Sequence, residues 1–409
     1  MYKTVKITPK KLSGKVCAPP SKSAAHRAIL CAALSSGVST ISNLAYSEDI
    51  SATLSAVENL GAKVSLNGST ATITGVCKGK KLNNEIIDCN ESGSTLRFVI
   101  PIALVFGGSF SVTGRGRLLD RPLNDYYKIF DSFGINYKKE NGKIFFDGKL
   151  SGGEYKLSGN VSSQYITGLL FSLPLLSSDS EVIITTPLES TGYIKMTLEM
   201  LKNFGISIKV SDNYRKYSIC GNQTYKPCNY TVEGDYSQAA FFYVANELGN
   251  NISVMGLLNE STQGDKAILD VIRYMKETKN ERTIDVSQIP DLVPILSVLA
   301  TQTEGTTHIV GAGRLRIKES DRLAAVTEEL TKIGAKIDEH KDSLTIYGKT
   351  QFCGGVVDAH NDHRIAMSLA IASTVTSGEI EICGSDSVKK SYKDFWDVFC
   401  NLGGSIDGE

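Results

Sequence analysis

The eleven residues GRLRIKESDRL, residues 313–323, place basic and acidic side chains close enough together to do chemistry. Four of the eleven are arginine or lysine, and they surround Glu319 and Asp321 in a chain whose formal net charge is zero. Spacings of this kind are common on solvated helix faces, where ion pairs form three or four positions apart. The alternative is the wall of a site for an anion. Taken alone, the stretch favours the helix face.

The distribution of arginine points towards small anions. The chain has only twelve arginines, and nine of them fall in a few short stretches, whereas the lysines are spread more evenly. The guanidinium group suits bidentate binding of phosphate and carboxylate. A net charge of zero argues against a general nucleic-acid surface. Clustered arginine in a neutral chain therefore favours a small anionic ligand.

Composition indicates an ordinary globular protein of the cytoplasm. A length of 409 residues predicts two or three domains, and 41% hydrophobic with 22% charged residues is typical of soluble proteins. No apolar run approaches the roughly 20 residues of a membrane span, and MYKTVKITPK lacks the apolar region of a signal peptide. The nine scattered cysteines form no C-x-x-C pair and the histidines no H-x-x-x-H pair. We expect free thiols and no metal site.

A repeat of about 70 residues runs through the chain. Each copy has a helix-like run that ends in an apolar residue and glycine and is followed by a hairpin pattern, as in LTKIGAKIDEHKDSLTIYG. The marker glycines are Gly61, Gly134, Gly205, Gly334 and Gly403. One gap is nearly twice the others, and VIRYMKETKNERTIDVS, near 271–287, fills it without the glycine. The spacing predicts six units.

Each unit also has a more apolar helix candidate upstream and a β-branched strand between the two helices, which gives β-α-β-α-β-β. In the amphipathic helix SDRLAAVTEELTKIG, Leu323, Val326, Leu330 and Ile333 form one stripe. Six units predict two lobes of three, one spanning residues 20–232 and the other residues 1–19 plus 233–409. Residues 1–19 are then expected to be a strand of the second lobe.

Cations recur at the predicted helix starts. Serine and aspartate at such positions are explained by N-capping, which accounts for Ser94, Ser162 and Asp362. Capping does not account for lysine and arginine, because a helix N-terminus carries a partial positive charge. Bound anions would reverse that cost. The basic residues at these starts are Lys22, Arg27, Arg97, Arg121, Lys318, Arg322, Arg364, Lys389 and Lys390.

Nine segments, in order from about residue 12 to residue 400, resemble the 5-enolpyruvylshikimate-3-phosphate synthase family. They are PPSKSAAHRAIL, ESGSTLR, LLDRP, SSQYITGLL, VEGDYSQAAFF, IPDLVP, RIKESDRL, NDHRIAM and KKSYKDFW. The resemblance implies an α/β fold, a two-lobed inverse α/β barrel with the active site in the cleft between lobes. It implies transfer of the enolpyruvyl group of phosphoenolpyruvate to the 5-hydroxyl of shikimate 3-phosphate, a step towards chorismate and aromatic amino acids. Small-molecule substrates, no cofactor and a monomer are also implied.

The resemblance also implies which residues bind each substrate. For shikimate 3-phosphate these are Ser23, Arg27, Ser162, Ser163, Gln164, Ser190, Tyr193, Asp291 and Lys318. For phosphoenolpyruvate they are Lys22, Gly93, Arg121, Gln164, Arg322, Arg364 and Lys390.

The reaction needs proton transfer at two centres, because the enol carbon C3 gains and then loses a proton while the 5-hydroxyl loses one. Asp291 is the candidate base for the hydroxyl. Glu319 is the candidate for C3, with Lys22 able to share that role. Asp321 is expected either to hold Arg322 or to cap its helix, whereas Arg316 is expected to be structural.

Three other functions compete with this interpretation. UDP-N-acetylglucosamine enolpyruvyl transferase shares the fold and donor, but that family has asparagine at the position of Ser23 and a loop cysteine that GRGRLLDRP lacks. An RNA 3′-phosphate cyclase would need a nucleotide-linked histidine and a more basic surface. A non-catalytic anion-binding repeat protein would keep the arginines but has no need for Asp291 and Glu319 together.

Overall fold

The computed structural model describes residues 3–76, 82 and 85–408, so Cys77 lies outside the described residues. The chain divides into two compact units. We call Pro20–Glu233 the continuous unit, and the residues up to Pro19 together with those from Gly234 onward the split unit. The eight cysteines within the described residues are free thiols. None of the described helices is long and apolar enough to cross a membrane.

The start of the chain forms two strands where one was predicted, β1 (Thr4–Thr8) and β2 (Ser13–Cys17). The elements of the continuous unit then follow in chain order. They are α1 (Lys22–Leu34), β3 (Val38–Ser42), α2 (Glu48–Asn59), β4 (Lys63–Asn67), β5 (Thr70–Thr74), β6 (Ile86–Asp88), α3 (Gly93–Phe106), β7 (Gly108–Thr113), α4 (Asn124–Ser132), β8 (Asn136–Glu140), β9 (Lys143–Gly148), β10 (Glu154–Leu157), α5 (Ser163–Ser172), β11 (Ser180–Ile184), α6 (Thr191–Asn203), β12 (Lys209–Val210), β13 (Lys216–Ile219) and β14 (Asn229–Thr231).

The remaining elements belong to the split unit. They are α7 (Tyr236–Glu247), β15 (Asn251–Met255), α8 (Ile268–Glu277), β16 (Glu281–Asp285), α9 (Val293–Gln302), β17 (Thr306–Val310), α10 (Arg322–Lys332), β18 (Lys336–Glu339), β19 (Leu344–Tyr347), β20 (Gly355–Asp358), α11 (His363–Ala372), β21 (Ile380–Cys383), α12 (Phe395–Asn401) and β22 (Ser405–Gly408). Single 3-10 turns at Pro290–Leu292, Gly313–Ile317 and Ser385–Lys390 precede or follow these helices.

Five four-stranded sheets repeat one topology, which confirms the predicted α/β repeat. In β6-β7-β9-β8 the first two strands are parallel and the hairpin strands are antiparallel, and β10-β11-β13-β12 and β16-β17-β19-β18 follow the same order. The two remaining sheets borrow a strand from a distant part of the chain: β14 opens β14-β3-β5-β4, and β1 completes β20-β21-β1-β22. Each borrowed strand lies in the same unit as the sheet that it completes.

The fourth repeat departs from the predicted pattern. It has β2, α7, β15 and α8, but in the described part of the chain β2 and β15 form a sheet of two strands. The segment expected to supply its hairpin forms β16 instead, which pairs in parallel with β17 of the next repeat. The marker glycines after α2, α4, α6, α10 and α12 all have φ between +65° and +107°, the left-handed turn that ends a helix and starts a hairpin. After α8 the chain has no such glycine, and Thr278 ends the helix in extended backbone.

Each unit has its own apolar core. The upstream helix of each repeat, α1, α3, α5, α7, α9 or α11, is buried over most of its length. The second helix buries one stripe, and the four apolar residues predicted for α10 are at most 3% exposed. An all-round apolar helix must lie inside and an amphipathic one at the surface. The polar starts of the upstream helices are therefore held by rigid, buried elements.

Candidate active site

Serine or aspartate side chains cap the helices that carry most of the predicted site. Ser21 accepts from the Ala24 amide at the start of α1, and Ser92 accepts from the Thr95 amide at the start of α3. Ser162 caps α5 as predicted. Ser94 does not cap, because α3 begins at Gly93, two residues earlier than a cap at Ser94 would place it, and Ser92 is its cap. Its hydroxyl instead accepts from Gln164 Nε2 at 2.9 Å, which joins the starts of α3 and α5.

Arg27 is a buried cation that only neutral groups hold. It is 3% exposed, and it donates to the Ser23 carbonyl at 2.7 Å, the Tyr193 carbonyl at 3.0 Å and Thr197 Oγ1 at 2.9 Å. Among the described residues no carboxylate pairs with it. Burial lowers the pKa of Arg27 to about 10, with small opposing contributions from Tyr193 and Cys31. An anion beside the guanidinium would offset this desolvation.

Gly93 lies where two guanidinium groups converge. A Cβ atom on Gly93 would meet Arg121 Nη1 at 2.5 Å and Arg97 Nη1 at 3.0 Å. Arg97 is 5% exposed and donates from Nη1 to Gln164 Oε1 at 2.8 Å. The guanidinium carbon of Arg97 also lies 5.3 Å from the Tyr165 ring centroid. The absence of a side chain at Gly93 therefore lets backbone and two arginines form one positive surface.

Lys22 is paired with an acid at the start of the neighbouring helix α2. Lys22 Nζ lies 2.7 Å from Asp49 Oδ2, and their side chains are 17% and 12% exposed. Asp49 lies in the first turn of α2, where an acid favours the helix dipole, and it also holds the ammonium group in place. The ion pair presents Lys22 at the start of α1.

The predicted residues of the continuous unit thus fall at neighbouring helix starts. Ser163 and Gln164 follow the cap Ser162, and Tyr193 packs its ring 5.8 Å from the Arg27 guanidinium carbon. Ser190 precedes α6 with φ +54°, a left-handed conformation that costs a serine about 1 kcal/mol or more. We call this set, with Lys22, Ser23, Arg27, Gly93 and Arg121, the continuous half-site.

Arg322 is the centre of the predicted residues in the split unit. It is 1% exposed, and each of its three nitrogens donates to a carboxylate. Nε donates to Asp362 Oδ2 at 2.7 Å, Nη1 to Asp291 Oδ1 at 2.8 Å and Nη2 to Glu319 Oε2 at 2.8 Å. Burial alone would lower the pKa of Arg322, but Asp362, Glu319 and Asp291 together raise it.

Asp291 is shared between three cations. Besides Arg322, its carboxylate lies 3.2 Å from Arg364 Nη2 and 3.5 Å from Lys318 Nζ. Burial would raise the pKa of Asp291, yet Arg364, Lys318 and Arg322 bring it well below its usual range. The pKa of Lys318 is lowered, chiefly by burial. At neutral pH Asp291 is therefore an ionised, desolvated carboxylate with cations on several sides.

The turn before α11 holds the other predicted residues of this unit. Asp362 caps the helix as predicted by accepting from the Arg364 amide at 2.9 Å, and it also accepts from Ser320 Oγ. Lys390, 3% exposed, donates to the Asn361 carbonyl at 2.7 Å. We call Asp291, Lys318, Glu319 and Arg322, with Arg364 and Lys390, the split half-site. His363 is buried beside it.

The remaining charged residues of 313–323 make structural contacts. Asp321 caps α10 by accepting from the Ala324 amide, one of the two roles expected of it. Its partner is Arg316 at 3.0 Å rather than Arg322. Arg316 also pairs with Glu339 at 2.8 Å, as its expected structural role requires. Arg314 is 9% exposed and donates to the Ser287 carbonyl.

Asp265 is a buried acid beside the split half-site that sequence reasoning missed. It is 4% exposed and lies in the 3-10 turn Gly264–Ala267. The pKa of Asp265 is raised to about 6, chiefly by burial and also by Asp291 and Asp235, while Arg364 opposes the rise. The segment STQGD has no charge pattern of its own, so only the fold reveals this neighbour. Asp265 and Asp291 thus have pKa values shifted in opposite directions.

One cluster among the described residues has the composition of a metal site. The ligand atoms of Glu328, Glu329 and His360 lie within 4.8 Å of one another. Lys332 Nζ lies 2.9 Å from an oxygen of each glutamate, so an ammonium group already pairs with both carboxylates.

The substitution Asp265→Asn should change how the free energy of unfolding depends on pH. The folded pKa of about 6 exceeds the ordinary 3.8, so the folded chain binds the proton more tightly and loses stability as pH rises between these values. Asp265→Asn imitates the protonated form and should stabilise the fold by up to about 3 kcal/mol at pH 7.5, and by about half of that at pH 5. Calorimetric unfolding of both proteins at the two pH values measures this difference.

The exposed Asp397→Asn serves as the matched control and should show no such pH dependence. An Asp265→Asn effect of equal size at both pH values would contradict the account of Asp265.

Comparison with known proteins agrees with this geometry. Residues 7–399 match the family model described as EPSP synthase (3-phosphoshikimate 1-carboxyvinyltransferase). A 3-phosphoshikimate 1-carboxyvinyltransferase from Clostridium perfringens is 50% identical, with all of both chains covered, and one from Clostridium beijerinckii is 49% identical, with 98% of each covered. The solved EPSP synthase of Acinetobacter baumannii is 26% identical with a TM-score of 0.81 over 99% of both chains. The resemblance seen in the sequence is confirmed, and the chain belongs to the EPSP synthase family.

Proposed function

We propose that the chain transfers the enolpyruvyl group of phosphoenolpyruvate to the 5-hydroxyl of shikimate 3-phosphate, giving 5-enolpyruvylshikimate 3-phosphate and phosphate. Membership of the EPSP synthase family supports the reaction. One observation on the residues carries the proposal. Asp291, Glu319 and three cations expected to act on the substrates form a single ion-pair network around Arg322.

The two half-sites are proposed to act on the substrates together. Phosphoenolpyruvate and shikimate 3-phosphate bring two phosphates and two carboxylates, which need cations to lie near one another. Arg27 and Arg97 offer positive charge that no described carboxylate neutralises, and this suits a phosphate. Ser23, Ser162, Ser163, Ser190 and Tyr193 would then bind the rest of shikimate 3-phosphate.

The split half-site would supply the proton chemistry. In the addition, the 5-hydroxyl oxygen bonds to C2, the hydroxyl proton leaves and C3 gains a proton. In the elimination, C3 loses a proton and the C2–O bond to phosphate breaks. Asp291 is ionised in the folded protein and can therefore accept the hydroxyl proton. Lys318 beside it would orient the hydroxyl.

Phosphoenolpyruvate binding at Arg322 requires an exchange of partners. Carboxylates of the protein already occupy all three guanidinium nitrogens. Glu319 is the partner best suited to leave, because its side chain is 20% exposed whereas that of Asp362 is fully buried. A substrate carboxylate that takes its place would release Glu319 for proton transfer at C3. Arg364 and Lys390 would bind the same substrate.

The remaining assignments are proposals of the same kind. The chain would act without a metal or organic cofactor, since every proton transfer above has a side chain to carry it. The free thiols suit a reducing compartment, the cytoplasm. By family precedent it would act as a monomer.

Purified protein should release phosphate from phosphoenolpyruvate only when shikimate 3-phosphate is supplied. The two anionic substrates match the charges of both half-sites, whereas UDP-N-acetylglucosamine lacks the phosphomonoester and the carboxylate of shikimate 3-phosphate. A phosphate-release assay with each acceptor measures the difference. Release with the nucleotide sugar and none with shikimate 3-phosphate would refute the proposed function.

Glu319→Gln should lower kcat by about a hundredfold or more, since general acid–base groups contribute roughly 10²–10⁴. Glutamine can still accept from Arg322 Nη2 but cannot carry a proton. The KM for shikimate 3-phosphate should stay within about twofold, because no phosphate contact is assigned to Glu319. Steady-state kinetics, with Glu339→Gln at the Arg316 ion pair as the matched control, measures both. Normal turnover by Glu319→Gln would show that Glu319 does not move the C3 proton.

A further inference from the structure

We propose that His360 is a positioning residue for phosphoenolpyruvate, acting through Glu329 on the turn that presents Asp362, Arg364 and the carbonyl that holds Lys390. The proposal rests on the proposed function of the split half-site. Neither His360 nor Glu329 takes part in the chemistry described above. Both lie outside the half-site, on the two elements that build it.

Glu329, on α10, is a completely buried carboxylate that accepts hydrogen bonds from three residues. Its side chain is 0% exposed. Oε1 accepts from His360 Nε2 at 2.6 Å, and Oε2 accepts from the Asp358 amide at 2.9 Å. Lys332 Nζ donates to both oxygens. A buried carboxylate is expensive unless it is fully hydrogen-bonded, so these contacts fix where the turn from Asp358 to Asp362 can lie.

The turn itself has an unfavourable backbone that needs outside support. His360 and Asn361 are consecutive residues in the left-handed region, at φ +50° and +52°. Such conformations persist when the surroundings impose them. The His360 amide donates to Asp358 Oδ1 at 2.5 Å, and its ring reaches Glu329. The ring contact is therefore well placed to hold the peptide that follows it.

That peptide leads directly into the split half-site. The Asn361 carbonyl accepts from Lys390 Nζ at 2.7 Å. The next residue, Asp362, accepts from Arg322 and from the Arg364 amide. Three cations assigned to phosphoenolpyruvate thus take their positions from the two residues that follow His360.

Helix α10 carries both ends of this arrangement. Arg322 begins the helix, and Glu329 lies seven residues later, about 10 Å along the axis at 1.5 Å per residue. The turn is bound to α10 at two places, through Arg322–Asp362 and through Glu329, which accepts from both the Asp358 amide and the His360 ring. Two separated attachments fix an orientation that one attachment would leave free to pivot. Loss of the His360 contact removes the bond to α10 closest to Asn361, since the Asp358 amide precedes the two left-handed residues and Asp362 follows them.

Glu328 provides a test of whether charge or the hydrogen bond matters. Its carboxylate lies 3.9 Å from His360 Nε2, beyond hydrogen-bond distance, and also pairs with Lys332. Removing the Glu328 charge changes the electrostatic surroundings of the ring but not its bond to Glu329. The positioning role predicts that Glu328→Gln behaves like the unmodified protein.

The experiment compares steady-state kinetics and thermal unfolding of His360→Ala, His360→Gln and Glu328→Gln with the unmodified chain. His360→Ala should raise the KM for phosphoenolpyruvate about tenfold, because one strong hydrogen bond is lost. The KM for shikimate 3-phosphate should stay within about twofold of the value for the unmodified chain. Glutamine can donate from Nε2 to Glu329, so His360→Gln should recover most of the loss.

Three results would overturn the proposal. An unchanged KM for phosphoenolpyruvate in His360→Ala is one, whether or not its Tm falls. An equal rise for both substrates is another, because it would show general loosening of the fold. Failure of His360→Gln to recover any affinity is the third. Lack of phosphate release by the unmodified chain would instead refute the proposed function, so the two failures are distinguishable.

Discussion

The burial of one guanidinium group constrains the split unit more than any other interaction. Arg322 is 1% exposed, and removing a cation from water is costly unless anions replace the solvent. Three carboxylates do so, and they come from three places: the 3-10 turn at Asp291, the residues before α10 at Glu319, and the start of α11 at Asp362. Removing any one would leave buried charge unbalanced. The repeat topology therefore has to bring these helix starts together, and the residues proposed for proton transfer, Asp291 and Glu319, converge as a result.

The buried cations of the two units have different kinds of hydrogen-bond partner. In the continuous unit, Arg27 and Arg97 are held by carbonyls, a hydroxyl and an amide, which leaves their charge unbalanced in the described structure. In the split unit three carboxylates already pair with Arg322, and one of them also pairs with Lys318 and Arg364. The first arrangement suits tight binding of a phosphate that arrives with two charges. The second suits exchange, in which a substrate carboxylate displaces a protein carboxylate and releases a base.

Much of the repeat architecture could be predicted from the sequence, and the physical reasons can be named. The repeat was visible because each marker glycine adopts the positive φ that ends a helix, a requirement of the backbone itself. The same logic failed at the fourth repeat, where a strand pattern cannot say which sheet a strand joins, and β16 joined the next one. Asp321 was expected as a possible partner of Arg322 because the two are adjacent in sequence, but it pairs with Arg316. The partner Asp362 was not expected, because it is close to Arg322 only in space. Asp265 was missed because burial, the main cause of its raised pKa, leaves no pattern in the sequence.

The most direct measurement replaces Arg322 by lysine and follows kcat/KM for phosphoenolpyruvate. Lysine keeps the charge but has one nitrogen, so it cannot donate to three carboxylates at once. Arg316→Lys is the matched control, nearby in sequence and also ion-paired but outside the half-site. The account predicts that Arg322→Lys lowers kcat/KM by about a hundredfold or more, while Arg316→Lys stays within about threefold. Equal, near-normal values for both variants would contradict the central role of Arg322.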